Sequence, residues 1–176
     1  LLHGTLRGSV KLCTDIMALV NPVAFGRSER IKRLMVRTAR QMGLKGLWQV
    51  ELAAMLSQIG TLSIDESTLE KKFSNQPLSP EEQQIFDMHP SIATSLLRNI
   101  PRMQEVIGII GAQEETLLTN PEQPMGARLM RLAMDYDAME QSGMDKSEAV
   151  KELQTRKGAY DPNALKSFEQ VLFQDE

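Results

Sequence analysis

Apolar residues recur at three- and four-residue steps along almost the whole of this chain, and no stretch alternates apolar and polar residues as a half-buried strand must. A helical backbone is therefore expected throughout. A length of 176 residues with 41% hydrophobic and 24% charged side chains supplies enough apolar surface for one sizeable helical core. The formal charge of -3 gives no global attraction to nucleic acid, so anion recognition would need a local patch. Cys13 is the single cysteine, which excludes an internal disulfide and a thiolate metal cluster. No apolar run approaches the roughly 18 residues of a membrane span, and the start lacks the layout of a signal peptide. A cytoplasmic protein without membrane contact is the expectation. The chain enters a helical pattern at Leu1, which suggests a piece of a longer protein with a domain upstream.

Punctuation residues divide the pattern. His3, Leu6, Val10, Cys13, Met17 and Val20 form an a/d-type seam, so residues 1–21 read as a connector helix that either packs on its own domain or pairs in a homodimer. Asn21-Pro22 breaks it, and residues 22–176 form the main domain. Ser28 suits the N-cap of a second helix with Ile31, Leu34, Met35 and Thr38 on its apolar face and Gly43 as its stop. Arg30, Arg33, Arg37 and Arg40 line the opposite face, a solvated stripe or a docking face for an acidic partner or phosphate. Scarce aromatic interleaving disfavours nucleic acid. A third helix covers about 47–58, and 63–80 reads as a polar connection. Ser79-Pro80-Glu81-Glu82 is a capping box, Pro90 and Pro101 each open a helix, and further helices cover about 125–140, 146–156 and 162–172. The fold class is an all-α bundle.

Several short motifs occur in a fixed order: Gly26-Arg27-Ser28-Glu29-Arg30, Leu56-Ser57-Gln58-Ile59-Gly60-Thr61, His89-Pro90-Ser91-Ile92-Ala93 and Pro124-Met125-Gly126-Ala127-Arg128-Leu129. Ala133-Met134-Asp135-Tyr136-Asp137-Ala138 follows. In this order the chain resembles the HD-GYP branch of the HD superfamily over about residues 22–173. The resemblance implies an HD-domain-like helical bundle. Its members hold two or three metal ions with His and Asp ligands and cut a phosphodiester, usually cyclic di-GMP.

By that resemblance, Arg27 stands for the family's first His, Ser57-Gln58 for its His-Asp dyad, and Thr61 for the Lys after the dyad. Gln113-Glu114-Glu115 falls on the His-His-Glu segment and Met134 on the later Asp; His89 alone matches, and the Gly-Tyr-Pro loop is missing. Hydroxyl, amide and thioether groups are poor ligands for the metals of hydrolytic sites, and Arg27 adds positive charge beside any cation. No cofactor or metal is expected. Arg27 is expected instead to pair with Glu114 or Glu115, His89 to bond near its helix start, and Asp135 to lie at the surface.

The functional expectation is a catalytically inactive HD-GYP-like output module of the response-regulator type. It would act through contacts with a signalling partner, downstream of a receiver-like domain. The alternatives are a non-hydrolytic cyclic dinucleotide effector and a divergent phosphodiesterase using His89 with Glu114 or Glu115.

Overall fold

The computed structural model describes residues 2–174, and their side chains from residue 4 onward; the side chain of His3, the first member of the seam, lies outside those described. Among the described residues the secondary structure is helical, with no strand. The elements are α1 (Leu2–Val20), α2 (Pro22–Gln41), α3 (Leu47–Leu56), a 3-10 turn (Ile59–Thr61), α4 (Glu66–Phe73), α5 (Pro80–Asp87), α6 (His89–Leu97), α7 (Gln104–Gly111), α8 (Met125–Gln141), α9 (Lys146–Thr155) and α10 (Pro162–Phe173).

The central helix is α2, which packs against α1, α3, α4, α8 and α10. It begins seven residues earlier than an N-cap at Ser28 would allow. Asn21 caps it by accepting from the Ala24 amide at 3.1 Å, and Pro22 takes the first turn, where its missing N–H costs nothing. Ser28 lies inside the helix and donates back to the Phe25 carbonyl at 2.8 Å. The chain leaves α2 through Gly43, whose φ of 67° is the left-handed conformation that glycine adopts without steric cost.

The polar stretch at 63–80 contains a helix that its composition conceals. Asp65 caps α4 by accepting from the Thr68 amide at 2.9 Å, and only Leu69 and Phe73 supply its large apolar contacts. The capping box before α5 is complete in both directions, Ser79 Oγ accepting from the Glu82 amide and Glu82 Oε2 from the Ser79 amide. Pro101 does not open α7. The chain turns at Arg102, with φ 62°, and the helix begins at Gln104.

A main core runs through α2, α3, α7 and α8 and is closed by α9 and α10; Ile31, Met35, Leu56, Ile110, Met130 and Phe168 are among its fully buried members. A smaller cluster of Met17, Ala24, Ile64, Leu69, Phe73 and Phe86 lies under α4 and α5. The α1 seam feeds both. Val10 and Met17 are buried, Leu6 and Cys13 pack against the main core, and Val20 is exposed. No described helix is long and apolar enough to cross a membrane.

The expected arginine stripe is divided by its partners. Arg30 forms a two-point pair with the buried Asp137 of α8, and Arg37 donates to the Val171 carbonyl near the end of α10 at 3.1 Å. Arg33 and Arg40 are exposed. Half of the proposed docking face is thus committed to holding helices together.

Candidate functional site: an arginine-rich cleft

Of the motif residues, Arg27, Glu114 and Asp135 line a cleft where α2, α4, α5, α8 and the segment after α7 meet, and His89 reaches it through Glu114. Ser57, Gln58 and Thr61 leave α3 through the 3-10 turn and are all buried. Ser57 Oγ donates to the Ala54 carbonyl at 2.8 Å, and Thr61 Oγ1 to the Gln58 carbonyl at 2.7 Å. Gln58 Nε2 donates to Ser57 Oγ at 3.2 Å and reaches Gln113 Oε1 at 3.5 Å, while Gln113 Nε2 donates to the Ser57 and Ile110 carbonyls at 3.1 and 2.9 Å. The amides and hydroxyls bond mostly to one another and to backbone. Met134 is fully buried in the main core.

His89 is fully buried at the start of α6, its ring 4.6 Å from that of Phe86. Its bond is not to the helix start: Nε2–H donates to Glu114 Oε1 at 3.2 Å, a geometry that requires the proton on Nε2 because the carboxylate only accepts. Glu114 Oε2 accepts from Arg131 Nη1 at 3.1 Å. Glu115 turns elsewhere and accepts from Asn120 Nδ2 at 2.6 Å. Glu114 therefore joins His89 and Arg131, and neither carboxylate hydrogen-bonds Arg27.

The Arg27 guanidinium lies 4.0 Å from the centre of the Phe73 ring, is 4% exposed, and has no hydrogen-bond partner at Nε. Burial pushes it down to about 10, more than the attraction of Asp137 and Glu114 recovers.

Across the cleft, Arg131 Nη2 donates to Asp135 Oδ1 at 2.6 Å, and Asp135 Oδ2 accepts from Tyr160 Oη, also at 2.6 Å. Arg156 stands 3.5 Å from the same oxygen. Asp135, expected at the surface, is thus a member of the site. Arg131, Lys72 and Arg156 were missed because none belongs to a recognisable motif. The one available signal was the four-residue spacing of Arg131 and Asp135 on α8, which suits an ion pair.

Burial pushes the Glu114 carboxyl upward, but the His89 hydrogen bond and the Arg131 charge outweigh it and hold the group well below its ordinary 4.5. A lowered folded-state value means that the stabilisation is fully present above the ordinary value and lost as pH falls. A third of the side chain is open to water, so screening keeps the effect small. Glu114→Gln is expected to lower the melting temperature at pH 7, and the gap to wild type is expected to narrow as pH falls below about 5. Melting curves across that range check this; a constant gap would contradict it.

The cleft encloses about 310 Å³, lined by residues including Arg27, Lys72, Phe86, Glu114, Arg131 and Asp135. A larger apolar groove of about 650 Å³ between α1 and α3 contains none of the motif residues. The metals implied by the resemblance do not fit the cleft's donors. Among the described residues no three His, Cys, Asp or Glu side chains are grouped to hold an ion, and a guanidinium stands in the cleft in their place.

Comparison with known proteins bears on the same frame. The profile described as "HD domain" matches residues 11–164. The HD domain of the L. monocytogenes phosphodiesterase PgpH in complex with cyclic-di-AMP superposes with a TM-score of 0.68 at 14% identity, covering 91% of this chain and 92% of that one. A second structure of that HD domain gives 0.68 at 12% identity, covering 91% and 94%. Bd1817, an HDG"Y"P protein from Bdellovibrio bacteriovorus, gives 0.60 at 22% identity, covering 85% of this chain and 52% of that one. These likenesses establish a shared fold. No curated protein matched the sequence.

Proposed function

The chain belongs to the HD-domain family, and from that premise we propose that it is a non-hydrolytic signalling module that acts through contacts with other proteins. The observation that carries this reading is the chemistry in and beside the cleft. Ser57, Gln58 and Gln113 bond mainly among themselves and to backbone, and Arg27 puts a positive charge where a hydrolytic metal would need carboxylate and imidazole. Without such a metal, water keeps a pKa of about 15.7 rather than about 7, and a phosphodiester meets no metal-activated hydroxide at neutral pH.

Two exposed apolar lines support the protein-contact half. Ile85, Met88, Ile92 and Leu96 run along the outer side of α5 and α6, and Leu12, Ile16, Leu19 and Val20 along the outer side of α1. Contiguous exposed apolar residues of this kind mark interaction surfaces. The inner side of α5 and α6 carries Phe86 and His89, so a shift at the cleft and a shift of the outer line are motions of the same helix pair. In this reading α1 connects the module to an upstream receiver-like domain, and its outer line serves a partner or a second copy.

A second reading, a cyclic dinucleotide bound without hydrolysis, is favoured by the excess of cations over carboxylates lining the cleft. The PgpH HD domain structure, which contains cyclic-di-AMP, supplies a precedent within the fold.

Turnover tests the main reading. Cyclic di-GMP and cyclic di-AMP incubated with the protein and added Mn²⁺ or Fe²⁺ are expected to remain intact. Metal-dependent cleavage abolished by His89→Ala would overturn it.

A further inference from the structure

Two cations in the cleft rest on aromatic faces rather than on carboxylates. Arg27 lies over Phe73, and Lys72 Nζ lies 5.0 Å from the centre of the Phe86 ring. Lys72 donates to the neutral Gln83 Oε1 at 3.3 Å. Arg131 and Arg156, by contrast, are held by Glu114 and Asp135. The lining thus carries two more cations than carboxylates, and the surplus is Arg27 and Lys72. A guanidinium that is 4% exposed and lacks a hydrogen-bond partner at Nε bears a cost of burial that the attraction of Asp137 and Glu114 only partly recovers. Neighbouring aromatic rings offset part of that cost, and an anion would offset the rest.

We propose that this cleft is a metal-independent binding site for a dianionic phosphate group, free or as a small phosphate monoester, held between Arg27 and Lys72. Charge and size select this ligand. A phosphate monoester dianion matches a surplus of two positive charges at one place, whereas a cyclic dinucleotide spreads single charges over two separated phosphodiesters. A volume of about 310 Å³ lies at the small end of the range for ligand pockets, about 300–1,000 Å³, and suits one phosphate with a modest substituent. Arg27 supplies the planar fork that matches phosphate oxygens, and Lys72 a mobile point charge. The lack of a hydrogen-bond partner at Arg27 Nε gives the site its signature. Removing this cation relieves the empty protein of an unpaid burial cost while it destroys the site. A pair between Arg27 and Glu114 or Glu115 would have the opposite effect, since breaking it would destabilise the empty protein.

This proposal rests on the non-hydrolytic reading, and the two can fail separately. The test is titration of the protein with inorganic phosphate and with adenosine 5′-monophosphate in the presence of EDTA, at ionic strength matched with chloride. Binding is followed by calorimetry and by melting temperature. Wild type is expected to bind both and to melt at a higher temperature with them, and cyclic di-AMP to bind more weakly. Arg27→Met and Lys72→Met are each expected to weaken phosphate binding at least about tenfold, the loss that accompanies one charged hydrogen bond. Arg27→Met without ligand is expected to melt no lower than wild type. No phosphate binding above the chloride control, or equal binding by both variants, would overturn the site. Tighter binding of cyclic di-AMP than of the monoester would overturn the choice of ligand. Metal-dependent hydrolysis, assayed separately without EDTA, would overturn the non-hydrolytic reading and leave the phosphate titration to stand on its own result.

Discussion

Gly60→Ala is expected to lower the free energy of unfolding by about 3 kcal/mol, the upper end of the usual cost of overpacking. The 3-10 turn presses Gly60 against the first turn of α6. A Cβ there would overlap the His89 carbonyl oxygen and come within 3.1 Å of the Ala93 amide nitrogen. Both obstacles are backbone, so no side-chain rotation relieves them; the turn and α6 must separate. That movement would carry His89 away from Glu114 and expose the Ser57-Gln58-Gln113 bonds, so the cleft and the fold fail together. For a chain of this length such a loss lowers the melting temperature by about 6–12 °C. Gly108→Ala in α7 is the control, since a Cβ there meets nothing within 4 Å and alanine favours helix. Urea titration of both variants checks the prediction; equal effects at the two glycines would contradict it.

Arg30→Met is expected to cost about 3 kcal/mol, because it strands the Asp137 carboxylate, whose side chain is 1% exposed, without its partner. Arg30 Nε donates to Oδ1 at 2.6 Å and Nη2 to Oδ2 at 3.1 Å, the two-point geometry that a guanidinium makes best. Arg33→Met, one turn further along the helix and exposed, is expected to stay within about 0.5 kcal/mol. The double variant Arg30→Met with Asp137→Leu is expected to recover most of the loss, since an apolar pair of similar volume carries no stranded charge. Failure of the double variant to recover would mean that Arg30 acts through something other than Asp137.

These two sites show what the sequence carries and where it stops. Helix existence was legible from local chemistry: the Ser79 capping box, the stop at Gly43 and the apolar face of α2 all correspond to structure. Local chemistry also misled. Ser28 has the composition of a cap, but Asn21 with Pro22 begins the helix earlier. The α4 helix escaped notice because two buried apolar residues in a polar stretch give no periodicity to detect.

Pairing was the least legible property. Arg30 and Arg33 look alike on a helical stripe, and only a carboxylate 107 residues away separates their roles. Proximity was legible only in part: Gln58 reaches Gln113, His89 bonds Glu114, and Arg27 lines the same cleft as Glu114, whereas Glu115 turns to Asn120 and Met134 lies in the main core. The charge arrangement of the cleft was not legible. Glu114 has His89, Arg131 and Arg27 nearby, and its hydrogen bonds go to His89 and Arg131, a choice set by tertiary contacts between distant segments.

Elemental analysis of the protein purified from cells supplied with iron and manganese, beside a His89→Ala control, tests the central claim most directly. Less than roughly a tenth of an equivalent of metal in both is the predicted result, as expected where the described residues offer no ligand set. Stoichiometric metal in the wild type that disappears in His89→Ala would contradict the non-hydrolytic account.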